Sequence, residues 1–120
     1  MSIAALRSYV RSTLDAKPNC EENPIGETSK LIRYLVDGNK GFGFEPRGTE
    51  HLNIWVEERH FDPAKWSGSA PEVYKNIRDT KAGGNSSVLH TKAFFHPHLI
   101  RLKALSKADA DAAIEMVAGR

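Results

Sequence analysis

Cysteine is almost missing from this sequence. Cys20 is the only one among 120 residues, which excludes an internal disulfide and a metal site built of thiolates alone. Long apolar runs are missing too: no stretch approaches the roughly 18 residues of a membrane span. Near the start, Arg7 and Arg11 interrupt MSIAALRSYVRSTL, so no secretory h-region is expected. Neither HExxH, CxxC nor a paired-carboxylate motif accompanies the five histidines, which removes the usual metalloenzyme signatures. There is no internal repeat and no low-complexity tract. These absences predict a soluble cytoplasmic chain without a membrane partner, and they leave its oligomeric state open.

What is present is ordinary in amount and uneven in placement. Hydrophobic residues make up 40% and charged residues 27%, as in a globular domain. The length fits a single domain spanning 1–120, large enough to bury its own core. Net charge is +2 overall, but residues 21–58 carry eight acids against four bases and residues 59–103 carry eight bases against three acids. Such a skew can mark an anion-binding face, or can be solvated charge on different sides of the fold.

Ser2 is placed to cap a first helix, with Ile3, Leu6, Val10 and Leu14 at helical spacing. Pro18 closes it, and residues 18–29 read as a surface connection. Three strands are then predicted: Lys30–Val36, Gly41–Glu45 and His51–Glu57. Asp37-Gly38-Asn39-Lys40 and Pro46-Arg47-Gly48-Thr49 supply the turns of an antiparallel meander. Ser69-Ala70-Pro71-Glu72 reads as a capping box opening a short helix through Val73 and Ile77. Gly83–Ser87 is a loop, and Val88–Phe95 and His98–Leu105 are two further strand candidates. Ser106-Lys107-Ala108-Asp109 caps a last helix with Ala110, Ile114 and Val117 inward and Gly119 at its end.

The predicted fold is therefore α+β: an antiparallel sheet of four or five strands flanked by an N-terminal and a C-terminal helix. Its core is expected to hold Ile32 or Leu31, Leu52, Ile54, Val56, Ile100 and Leu102, covered by Ile3, Leu6, Val10, Ile114 and Val117.

One short string carries a motif. Lys40-Gly41-Phe42-Gly43-Phe44 is similar to the first ribonucleoprotein motif, and its flanks Ile32-Arg33-Tyr34 and Asn53-Ile54-Trp55-Val56 resemble the cold-shock domain. The resemblance covers residues 30–57. It implies an OB-type barrel that binds nucleic acid, with Tyr34, Phe42, Phe44 and Trp55 stacking on bases and Lys40 at the backbone. Glycines beside Phe42 would let a base approach closely. The competing reading makes Phe42 and Phe44 core residues and the glycines a bulge or a tight packing site.

The other candidates are less specific. Arg33, Arg59, Arg78, Lys92 and Arg101 could hold phosphates, with Lys81, Lys103 and the Gly83–Ser87 loop in support. His90, His96 and His98, with His51 and His60, could form a metal or hydrolytic set, although loop, capping and surface roles account for them more simply. Glu57, Glu58, Arg59 and His60 lie at a strand end, where catalytic groups and solvated edges both occur. Cys20 could act as a nucleophile only beside a histidine.

The reading that follows is a small non-enzymatic module binding single- or double-stranded DNA or RNA, without cofactor or metal. The alternatives are a protein-interaction or regulatory module, and a small hydrolase using His60, His96 and His98.

Overall fold

The computed structural model describes residues 2–22, 31–75 and 94–119. Helix α1 covers Ile3–Asp15, capped by the Ser2 hydroxyl, which accepts the Ala5 N–H at 3.1 Å. Its buried residues are Ile3, Leu6, Val10 and Leu14, the stripe read from the sequence. Helix α2 covers Lys107–Ala118. Ser106 caps it, and Gly119 ends it at φ 71°, a conformation that glycine adopts without steric cost. Its first-turn acidic residue, Asp109, turns back to accept the Leu105 N–H at 2.9 Å.

Between the helices runs a six-stranded antiparallel sheet. Its strands are β1 (Cys20–Glu22), β2 (Ile32–Val36), β3 (Lys40–Phe44), β4 (Leu52–Glu57), β5 (Glu72–Tyr74) and β6 (Leu99–Ala104). Their order across the sheet is β1-β2-β3-β4-β6-β5. The meander β2–β3–β4 is as predicted. Its first turn places Asp37 at φ 54° and Gly38 at φ 74°. Two successive left-handed residues make the primed turn that matches strand twist.

Two expectations are corrected here. Residues 20–22 are an edge strand inside the stretch read as a connection, and Glu72–Tyr74 is a strand where a capped helix was expected. In both, pairing with a neighbouring strand outweighs a local turn or capping signal, because short edge strands draw their stability from the sheet. The strand expected over Val88–Phe95 lies largely outside the described residues, and Phe94 and Phe95 are not in a strand. The described strands follow one another in a linear order with β1 and β5 at its two ends.

Both helices pack on one face. That core holds Tyr34, Val36, Phe42, Phe44, Leu52, Ile54, Val56, Ile100, Leu102 and Ala104 from the sheet, with Ile3, Leu6, Val10, Leu14, Ala110, Ile114 and Val117 from the helices. Burying each large side chain contributes ~1.5–3 kcal/mol, so this face carries most of the fold. The Tyr34 hydroxyl donates to Asp15 at 2.6 Å. Burial, that hydrogen bond and the Asp15 charge raise the phenol's pKa well above its usual range. Among the described residues no helix is long and apolar enough to cross a membrane.

Candidate interaction surface on the helix-free face

A strand alternates its side chains, so each residue that feeds the helix side leaves its neighbours on the other face. The register builds one continuous cross-strand row there: Arg33 beside Gly43, Gly43 beside Trp55, Trp55 beside Arg101, and Arg101 beside Glu72. The adjacent row brings Glu57 beside Leu99 and Leu99 beside Tyr74.

This face has a small core of its own, made of Leu31, Trp55, Phe94 and Leu99 with Tyr74 at its border. Unlike the helix side, it also contains charge: Arg33 is 1% exposed and Glu57 0%. Arg101 lies over both aromatic rings, 5.4 Å from the Trp55 centroid and 5.6 Å from that of Tyr74. Its Nε and Nη2 reach the two Glu72 oxygens at 3.0 Å each, the bidentate geometry that suits a guanidinium. The Trp55 indole donates to Glu45 at 2.8 Å. Burial works against the Arg101 cation, yet Glu72, Tyr74 and Glu45 raise its pKa above the ordinary value. The Arg101 hydrogen bond in turn lowers that of Glu72.

Glu57 organises the neighbouring corner. One carboxylate oxygen accepts the Phe95 N–H at 2.6 Å. The other accepts Arg59 Nε at 2.8 Å and faces His60 Nε2 at 3.4 Å. Arg59 and His60 belong to the short 3-10 turn Glu58–His60, which follows β4 directly and so folds its side chains back over Glu57. Burial lowers the His60 pKa, opposed by the Glu57 charge.

Phe94 explains the glycine of the motif. A Cβ on Gly43 would lie 3.2 Å from Phe94 Cζ and 3.2 Å from Leu31 Cδ1. The close approach that glycine permits in KGFGF is thus taken up by the chain's own phenylalanine. Phe94 is 4% exposed, whereas the adjoining Phe95 is 43% exposed. One ring points in and the next points out.

The expected site residues divide accordingly. Tyr34, Phe42 and Phe44 are 0% exposed beneath the helices, and Trp55 is 0% exposed on the opposite face. The four aromatics therefore form no common platform and offer no open ring to a base, which corrects their stacking role. The reason is register: Phe42 lies opposite Val56, which sends Trp55 to the side of Gly43. Arg33 is buried and unavailable to a phosphate. Lys40 pairs with Asp37 at 3.1 Å, Arg59 with Glu57, and Arg101 with Glu72. Arg78 and Lys92 lie outside the described residues, as do Lys81, Gly83–Ser87 and His90.

His96 and His98 do meet, ring to ring at 4.9 Å, and His96 Nδ1 accepts the His98 N–H at 3.2 Å. Among the described residues no group of three or more His, Cys, Asp or Glu side chains is placed to hold a metal ion. Cys20 lines a cleft with Pro18, Asn19, Leu35 and Asp37, where burial raises the thiol's pKa, against nucleophilic use.

Comparison with known proteins finds no family model, no curated protein and no solved structure that matches this chain. Its reading therefore rests on this geometry. Sequence reasoning missed Glu45, Glu72, Tyr74 and the Phe94–Phe95 pair. The available signal was the in–out alternation of two adjacent phenylalanines beside a turn proline, Pro97.

Proposed function

We propose that this chain is a protein-interaction module, with the helix-free face and its Phe95 rim as the contact surface. The observation that carries this reading is the mixed character of that rim. The Lys75 ammonium meets the Glu58 carboxylate, Arg59 meets Glu57, and Arg101 meets Glu72. Phe95, 43% exposed, stands beside these pairs. Aromatic and apolar side chains set among paired charges of both signs are the composition of a protein interface. A phosphate-binding track needs cations in excess.

A second reading is kept for one observation. Residues 75–92 carry Lys75, Arg78, Lys81 and Lys92 against Asp79 alone, a basic stretch that supports nucleic-acid binding. One experiment separates the two. Peptides are selected from a displayed library on the folded chain, and single- and double-stranded oligonucleotides are titrated at two salt concentrations. The interaction reading expects convergent peptides and no salt-dependent oligonucleotide affinity. Oligonucleotide binding that weakens steeply with salt, without peptide enrichment, overturns it.

A further inference from the structure

We infer that the helix-free face contains an aromatic-peptide slot that the chain occupies with its own Phe94. This rests on the interaction reading above and names its partner class: an extended peptide bearing a phenylalanine anchor.

The slot is defined by what fills it. Its floor is the side-chain-free backbone at Gly43. Its walls are Leu31, Trp55 and Leu99. A Cβ on Gly43 would crowd it, since that atom would stand 3.2 Å from the Phe94 ring. Beside the slot, the buried Glu57 carboxylate accepts the N–H of the next residue, Phe95, at 2.6 Å. The seated element is therefore a ring followed by a backbone N–H, which any phenylalanine within an extended peptide can present. A buried anchor plus one charge-assisted main-chain hydrogen bond is how peptide pockets gain affinity and register.

The face departs from an ordinary core in the way a binding pocket does. Its apolar residues form a cluster separate from the helix-side core. It is bordered by ionised groups that are already set in place, namely Glu57 with Arg59 and His60, and Arg101 with Glu72 and Glu45. Such preorganised polar groups around one apolar slot fix the direction of a peptide, and they do so whether the phenylalanine comes from this chain or from another. The native Phe94 then acts as an internal competitor that sets the threshold for a partner.

The test uses the octapeptide TKAFFHPH, the sequence of residues 91–98, and a control in which its first phenylalanine is alanine. Both are titrated into the wild type, Phe94→Ala, Phe94→Leu, and the double variant Phe94→Ala with Glu57→Gln, followed by calorimetry and the Trp55 indole resonance. Vacating the slot is expected to tighten octapeptide binding about 10- to 100-fold over wild type, the worth of one buried phenylalanine side chain. Phe94→Leu should fall between the two. Glu57→Gln should weaken the gain by about tenfold, the difference between a charged and a neutral acceptor, and the control peptide should show no gain.

A folded Phe94→Ala protein that binds the octapeptide no more tightly than wild type overturns the inference, and so does a gain indifferent to Glu57→Gln. Loss of folding in both Phe94 variants overturns it equally, by showing that Phe94 is a fixed part of the core. If displayed peptides enrich without an aromatic anchor and bind indifferently to these variants, the slot falls while the interaction reading stands.

Discussion

The two faces of the sheet are built from the same strands by opposite rules. The helix side is uniformly apolar: Phe42, Phe44, Ile54, Val56 and Leu102 meet α1 and α2 with no charged side chain among the core residues. The other side mixes Trp55, Leu99 and Phe94 with buried Arg33 and Glu57. Burying a charge costs free energy that hydrogen bonds only partly return. A chain seeking stability alone would have placed leucine or valine at those positions. The contrast places the larger apolar core on the first face and the buried charges on the second.

The largest way to probe that contrast is truncation on each side. Phe42→Ala, beneath the helices, is expected to cost about 3–5 kcal/mol in urea unfolding, the usual loss for a buried phenylalanine. Phe94→Ala should cost less, about 2–3 kcal/mol, because its cluster is the smaller of the two and leaves fewer buried apolar neighbours to lose contact. Equal losses would merge the two faces into one energetic unit.

Glu57→Gln comes next, at about 1–2 kcal/mol, since Arg59 loses a charged partner but remains solvated while the Phe95 N–H keeps a neutral acceptor. A loss beyond that range would make Glu57 a stability element first. Gly43→Ala is smaller still, about 1 kcal/mol, because the Phe94 and Leu31 side chains must shift by only a few tenths of an ångström. Its signature is a displaced Phe94 ring in the aromatic spectrum, with the helix-side resonances unmoved.

The smallest effect is in pH. Burial lowers the His60 pKa below its usual 6.5, so the unfolded chain takes the proton first. The His60 contribution to stability is complete above that value and declines as pH falls below it, until the folded form is protonated too. Urea midpoints taken from about pH 8 down to about pH 5 should show this acid limb, and His60→Gln should flatten it. A limb of unchanged slope in the variant would move its origin to another group.

The fold was legible wherever one periodicity dominated. The stripe Ile3–Leu6–Val10–Leu14 specified a helix with one buried face, and the alternation in Leu52–Ile54–Val56 specified a half-buried strand. Cys20–Glu22 and Glu72–Tyr74 were not legible, because three residues carry too little pattern to compete with nearby turn and capping signals. Within the site, Glu57, Arg59, His60 and Arg101 were visible as residues, while Glu72 and Glu45, the carboxylates beside Arg101, became apparent only through pairing.

Sequence alone determined the α+β class, the order of the central strands, the two helix caps and the absence of disulfides, since each follows from local spacing and composition. Tertiary structure decided which faces those residues share. Strand register turned Trp55 away from Phe42 and Phe44, and packing put Phe94 on Gly43 where the motif had suggested a base. Local patterns report a residue's neighbours along the chain. What fills the space above a glycine depends on residues fifty positions away, and only the folded chain brings them together.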